Sequence, residues 1–418
     1  MAGRPDRIER LRIVDEAFRS LPDRFLGADP GFDATFHITL GDLGHTWEVR
    51  CTSRAARVRK GGTRRRPDVT MSTDSDTWIR LRRGEFSGVE AFQQRLLAVR
   101  GNLDQAIAFE GMFRLLGGRP PLLEIHDIPV GRHRISTLTM GHGPDVLLLH
   151  GLGGTRASLF ETAAALSRSY RVHAPDLPGF GSSGKPTIGA YNAHWFADIM
   201  LGLLDQLGID RTHAVGNSMG GRIAIELGLV APERIRALGL LCPAVAWLKR
   251  GLHPIVRVLR PELGLLPHAF RRSTVASQFW SMFCDRDLID PAVADLVVDE
   301  FQRIYHTAGA RYALLASARN ISLEAPLGRN GFYRRLADLE PPALFVWGSH
   351  DWLVPAAFSR HVRKCLPQAE QVTFERCGHV PQVEHPAMTN ELLLDFFRRA
   401  ESAEGQPVLR LATGTEAA

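Results

Sequence analysis

The sequence has no run of about 18 uncharged apolar residues, so no membrane-crossing helix is expected. Its first residues, MAGRPDRIERLRIVDEAF, alternate charged with apolar side chains and offer neither an apolar h-region nor a small-residue cleavage site, so no signal peptide is expected either. Cysteine is scarce: Cys51, Cys242, Cys284, Cys365 and Cys377 are odd in number, scattered and never in a C-x-x-C pair, which reads as reduced thiols rather than a disulfide frame. The expected location is cytoplasmic. No dinucleotide fingerprint and no metal-ligand constellation occurs, so the sequence implies no cofactor and no metal. Charge of one sign is also in short supply, the net formal charge being +6 over 418 residues. Most of that excess lies in residues 1–120, with 21 Lys/Arg against 16 Asp/Glu. The one dense basic cluster, Arg54, Arg57, Arg59, Lys60, Arg64, Arg65 and Arg66, has no interleaved aromatic, which argues against a nucleic-acid partner. It leaves two readings, a solvated loop or a landing patch for an anionic membrane surface or an acyl carrier's phosphates. The second would make the protein peripheral to a membrane.

What is present, 44% hydrophobic and 23% charged residues at a mean hydropathy of −0.09, can fill sizeable cores. The length calls for two domains. Residues 11–20 place Leu11, Val14, Ala17 and Phe18 on one helical face. FHITL (36–40) and HTWEVRC (45–51) alternate around Gly41-Asp42-Leu43-Gly44 and predict a β-hairpin. DVTM (68–71) and TWIRL (77–81) are candidate strands, and GVEAFQQRLLAVRGNLDQAIAFEGMFRLL returns to helical spacing. This is an α+β domain over residues 1–116. The hairpin with its Gly-Asp turn, the Arg-rich segment with Gly61-Gly62, Pro67-Asp68-Val69-Thr70, Trp78-Ile79-Arg80-Leu81 followed by Gly84, and Arg100-Gly101-Asn102-Leu103 recur in this order in one family. In these features the segment resembles the sterol carrier protein family of lipid-binding domains, which implies a nonpolar tunnel for an acyl chain or sterol.

GGRPPLL (117–123) reads as a linker, after which the pattern changes. DVLLLH (145–150), YRVHAPD (170–176), HAVGNS (213–218), IRALGLL (235–241), ALFVWG (343–348) and QVTFERC (371–377) are near-continuous apolar runs separated by helical stretches, the pattern of an α/β fold whose mostly parallel sheet is covered on both faces. This domain spans residues 124–401. A helical, Pro-punctuated segment over residues 243–341 interrupts the alternation and reads as a cap after the sixth core strand. Residues 402–418 read as a flexible tail.

Gly216-Asn217-Ser218-Met219-Gly220-Gly221 lies between an apolar strand and a helical run, the context that gives a G-x-S-x-G match meaning. Serine at its own pKa is a weak nucleophile and needs a base, which in turn needs an orienting acid. His379 ends the last candidate strand, Asp351 follows the one before it, and the chain order Ser218, Asp351, His379 is that of a strand-to-helix nucleophile turn. His150-Gly151-Leu152-Gly153-Gly154 ends another strand, so the backbone N–H groups of Leu152 and Met219 are the candidate oxyanion donors. Asp176 has no chemical task beside Ser218 and reads as structural.

Residues 124–400 therefore resemble the α/β-hydrolases, and the resemblance implies a Ser218–His379–Asp351 triad in a serine hydrolase of the carboxylesterase or lipase type. A serine at the elbow argues against the dehalogenase and epoxide hydrolase branches. The Gly-Asn-Ser-Met-Gly-Gly elbow also occurs in C–C bond hydrolases of aromatic ring degradation, which commonly carry a tryptophan shortly after the histidine. Here Val380-Pro381-Gln382-Val383 follows. Three functions thus stand open: cleavage of a hydrophobic acyl ester with lipid held or delivered by the N-terminal domain, C–C hydrolysis by the same triad, and a lipid carrier with a vestigial hydrolase domain. His150, the cap aromatics Phe279, Trp280 and Phe283, and Arg311 are candidate substrate contacts.

Overall fold

The computed structural model describes residues 7–62, 66–246, 260–268 and 270–404. Arg64 and Arg65 of the basic cluster, part of the cap and most of the expected tail lie outside these residues. Two sheets organise the chain. The first has five strands, β1 (Asp33–Leu40), β2 (His45–Thr52), β3 (Ala56–Lys60), β4 (Val69–Thr73) and β5 (Ala98–Gly101), in the order β3-β2-β1-β4-β5. The β1–β2 hairpin pairs Leu40 with His45, so the alternating set Phe36, Ile38, Leu40, Trp47, Val49 and Cys51 falls on one buried face. Helices Arg7–Arg19, Ser75–Arg83 and Leu103–Gly111 cover it. Phe18 is sandwiched between Trp47 and Trp78, at ring-centroid distances of 4.5 and 4.7 Å.

One expectation fails here. TWIRL (77–81) is not a strand but the middle of the helix Ser75–Arg83. Asp74 accepts from Thr77 N as N-cap, Gly84 closes the helix at φ 66°, and Trp78, Ile79 and Arg82 share the buried face at helical spacing. The polar run before it is a capping signal and not a hairpin turn. The long helical stretch expected after Gly88 is likewise broken in two by β5. Of the basic cluster, Arg57, Arg59 and Lys60 sit on edge strand β3, and Lys60 pairs with Asp15 at 3.0 Å.

The second sheet has eight strands, β6 (Leu123–Val130), β7 (His133–Met140), β8 (Asp145–Leu149), β9 (Arg171–Pro175), β10 (Thr212–Asn217), β11 (Ile235–Leu241), β12 (Ala343–Gly348) and β13 (Glu370–Phe374), ordered β13-β12-β11-β10-β8-β9-β7-β6. From β9 through β13 neighbouring strands are parallel, while β7 runs antiparallel to β6 and β9. Every residue of β10 and β12 is buried, as expected for strands covered on both faces. Cap helices Arg272–Trp280, Pro291–Tyr305 and Ala308–Leu323 enter between β11 and β12. Leu123 is already the first residue of β6, so the Gly- and Pro-rich connection is shorter by that residue than the sequence suggests.

The two units share a core. Val89 and Ile107 of the first pack into the same apolar cluster as Leu148, Leu159 and Leu344 of the second. Beside them Arg156, 1% exposed, forms an ion pair with Asp104, and Ser182 Oγ donates to the same carboxylate. Arg156 also donates from its backbone N to Asp176 at 2.8 Å and from its guanidinium to Ser136, while Asp176 accepts from Ser182 N, the structural role expected of it. Removing Asp104 leaves a buried guanidinium with Asp176 at 3.6 Å as its remaining anion. Asp104→Ala is expected to cost about 2–4 kcal/mol, read as a fall in the denaturant midpoint of the whole chain. A loss under about 0.5 kcal/mol would mean that the contact does not hold the units together.

Candidate active site

Ser218 sits between β10 and the helix Met219–Val230 with φ 54° and ψ −116°, a backbone conformation that L-residues adopt only when the surroundings impose it. The surroundings are glycines. A Cβ on Gly216 would lie 2.3 Å from the carbonyl carbon of Gly220, and one on Gly220 would lie 2.0 Å from Leu149 O, so only bare backbone lets the turn close against β8. Ser218 N donates to Leu241 O at 3.0 Å, and Asn217 Nδ2 donates to Leu241 O and to His379 O, tying the turn to the histidine loop.

His379 Nδ1 lies 2.7 Å from Asp351 Oδ2, with both residues buried. Asp351 Oδ1 is occupied by the backbone N–H groups of Leu353 and Val354 at 2.8 and 2.9 Å, which fixes the carboxylate so that Oδ2 faces the imidazole. A carboxylate accepts, so the proton belongs on Nδ1 and Nε2 keeps its lone pair. The loop is held by Glu384, which accepts from Gly378 N at 2.8 Å and from Cys284 N of the cap at 2.7 Å, while His379 N donates to Met282 O. Burial pushes the Glu384 carboxyl up. Sequence reasoning missed Glu384, which has no motif of its own. It also missed Cys242, whose Sγ lies with an Asp351 oxygen and a His379 nitrogen in a group within 4.8 Å. Burial first, and then the Asp351 charge, raise the Cys242 thiol well above its usual pKa, so it stands beside Asp351 protonated.

The loop after β8 abuts the serine, since a Cβ on Gly151 would lie 3.4 Å from Ser218 Cβ. Leu152 lines the same cavity as Ser218, and Met219, as the first residue of its helix, has an N–H without an intrahelical acceptor. His150 does not fit its expectation as a substrate contact. It is fully buried, its Nε2 accepts from Leu177 N at 2.9 Å and its Nδ1 lies 2.9 Å from Gly151 O, so both ring nitrogens are spent on holding the loop. Arg311 fails in the same way: its guanidinium donates to the carbonyls of Gly264, Tyr305, His306 and Leu266 and braces the cap. Phe279 and Phe283 line the cavity. Trp280 does not, and packs at 5.3 Å against Phe279.

The cavity itself has a volume of about 970 Å³ and a mostly apolar wall. Ser218 and His379 line it, and so do Trp78, Val89, Phe92, Leu103, Ile107 and Glu110 of the N-terminal unit. Nothing in the spacing of those residues pointed to Ser218, because the docking of the two units brings them there.

The sequence model of the alpha/beta hydrolase family matches residues 146–392. The chain belongs to the α/β-hydrolase family. The SCP-2 sterol transfer family matches residues 30–114, so the N-terminal unit is of the sterol-carrier type. Among similar proteins is a 2-hydroxy-6-oxononadienedioate/2-hydroxy-6-oxononatrienedioate hydrolase of Pseudomonas putida, 29% identical over 62% of this chain and 90% of its own length. Another is the pimeloyl-[acyl-carrier protein] methyl ester esterase of Aeromonas hydrophila, 30% identical over 63% and 98%. A bacterial membrane phospholipase A superposes with a TM-score of 0.57 and 26% identity, over 67% of this chain and 87% of its own. The tight elbow of this α/β-hydrolase gives a direct prediction: Gly220→Ala must displace the β8 backbone, so a loss of about 3 kcal/mol or more, or insolubility, is expected. A variant as stable as the parent in denaturant titration would contradict the packing described.

Proposed function

We propose that the protein is a serine hydrolase that cleaves a hydrophobic acyl ester through a covalent acyl-enzyme, with the acyl chain held in the cavity that both units line. Ser218 Oγ attacks the ester carbonyl as its proton passes to His379 Nε2, and Asp351 holds the imidazole in the required tautomer. The N–H groups of Leu152 and Met219 receive the oxyanion. His379 returns the proton to the leaving alkoxide, and water then releases the acid by the same steps in reverse roles. The observation that carries this reading is the single apolar cavity running from Ser218 to residues of a sterol-carrier-type unit, at a volume in the upper range of ligand sites.

Burial of each added methylene is worth about 0.8 kcal/mol, so kcat/KM for p-nitrophenyl acyl esters should climb by up to about fourfold per carbon until the cavity is filled. Ser218→Ala should lower kcat by about 10³- to 10⁶-fold and abolish fluorophosphonate labelling. Asp351→Asn should cost about 10²- to 10⁴-fold. More than about a tenth of the activity surviving in Ser218→Ala would rule this assignment out. C–C hydrolysis is the second reading, favoured by the Pseudomonas putida relative. Turnover of a vinylogous diketone, with a flat ester chain-length series, would select it. Among the described residues no helix is long and apolar enough to cross a membrane, and Arg57 and Arg59 on β3 support contact with an anionic surface or an acyl carrier.

A further inference from the structure

The wall of the cavity includes buried polar side chains of the N-terminal unit that the chemistry at Ser218 does not use. Arg82, on the helix Ser75–Arg83, is 3% exposed and lines the cavity. Its guanidinium makes one hydrogen bond, from Nη2 to Arg114 O at 3.1 Å, and packs between the rings of Trp78 and Phe113 at 5.9 and 5.6 Å. Among the described residues no carboxylate makes a direct salt bridge to it, the nearby Glu110 carboxyl acting on it only through space, and its Nε has no acceptor. Three more cavity-lining donors are buried and unpartnered, Trp78 Nε1 and Gln93 Nε2 in the N-terminal unit and Gln382 Nε2 just after His379 in the other. Glu110 also lines the cavity, with one oxygen accepting from Gly88 N at 2.6 Å. Burial pushes its carboxyl up to about 7, so near neutral pH it is protonated in a large fraction of molecules and presents a further O–H donor.

Buried N–H groups are rarely left unpaired, and a buried guanidinium short of hydrogen-bond acceptors is costlier still. Three such donors on the N-terminal wall of the chamber, one of them on a guanidinium, are complementary to an anionic acceptor brought in by a ligand. The wall is mostly apolar, so a ligand that fills it is mostly an apolar chain, with that acceptor at one end. We infer that Arg82, with Trp78 and Gln93, binds the distal carboxylate of an elongated substrate whose ester lies at Ser218, so that the preferred substrates are monoesters of long-chain α,ω-dicarboxylic acids. This inference rests on the proposed ester hydrolysis only for the identity of the reacting end. The anchor itself is a binding site that can be tested without turnover.

The test uses the full-length chain carrying Ser218→Ala, titrated by calorimetry with two chain-length series, monomethyl esters of α,ω-dicarboxylic acids and methyl esters of the corresponding monocarboxylic acids, with ω-hydroxy esters as a neutral-acceptor arm. At the best-fitting length the ω-carboxylate should bind about tenfold or more tighter than the plain ester, with the ω-hydroxy ester between them. Adding Arg82→Gln should remove most of that advantage and change plain-ester affinity by less than about twofold. Should Arg82→Gln fail to fold, Trp78→Phe, which deletes one N–H and keeps the ring, should reduce the ratio by about threefold. Equal affinity for the carboxylate and plain series at every length, or an advantage unchanged in these variants, overturns the anchor. Selective binding without hydrolysis by the parent protein would retain the anchor and defeat the ester reading, and hydrolysis of plain esters with no carboxylate preference would do the reverse.

Discussion

Arg156 is a guanidinium taken almost wholly out of water, and it is held from both units at once: by Asp104 at the start of the helix Leu103–Gly111, and by Ser136 within β7 and Asp176 just after β9 of the large sheet. A charge buried in this way tolerates few arrangements, because each lost partner leaves an uncompensated ion. The same residue opens the short helix just after the glycine loop that faces Ser218. Arg156 therefore links the position of the sterol-carrier-type unit to that of the loop, beside the Arg168–Glu90 ion pair and the apolar burial of Val89 and Ile107. Were the units merely tethered, the cavity would not be closed on the N-terminal side.

The large sheet supplies the rest by geometry. The carboxyl ends of parallel strands carry the residues that meet at the cavity, the glycine loop after β8, Ser218 after β10 and His379 after β13, with Asp351 after β12 behind His379. Open α/β sheets bind ligands at that edge because the loops leave the strands there in one direction. The cap covers the edge, and Glu384 joins cap and histidine loop through two backbone N–H groups, so the cap's position and the histidine's are mechanically linked.

Much of this was legible in the sequence, for a physical reason. Parallel strands buried on both faces leave unbroken apolar runs, and a nucleophile turn of this sharpness admits only glycine at its crossing points, so Gly216 and Gly220 advertise it. TWIRL misled because five residues cannot separate a short strand from one turn of helix, and the capping Asp74 decided the outcome. His150 and Arg311 have the chemistry of substrate contacts, but their polar atoms are consumed by backbone groups, which spacing does not reveal. The resemblance implied a nonpolar tunnel in the N-terminal domain, but its joining to the space at Ser218 was hidden. Trp78, Arg82 and Glu110 reach it only through the docking of two units, a contact with no local pattern.

The central claim is that the chamber of the N-terminal unit is part of the active site. Ala106 lines the cavity from the helix Leu103–Gly111. The most direct measurement is the kcat/KM of Ala106→Trp for a short and a long p-nitrophenyl acyl ester. A bulky ring there should displace at least two methylenes of a long chain and lower its kcat/KM by about tenfold or more, while the short ester changes by less than about twofold. Equal effects on both esters, or none on either, would contradict the account.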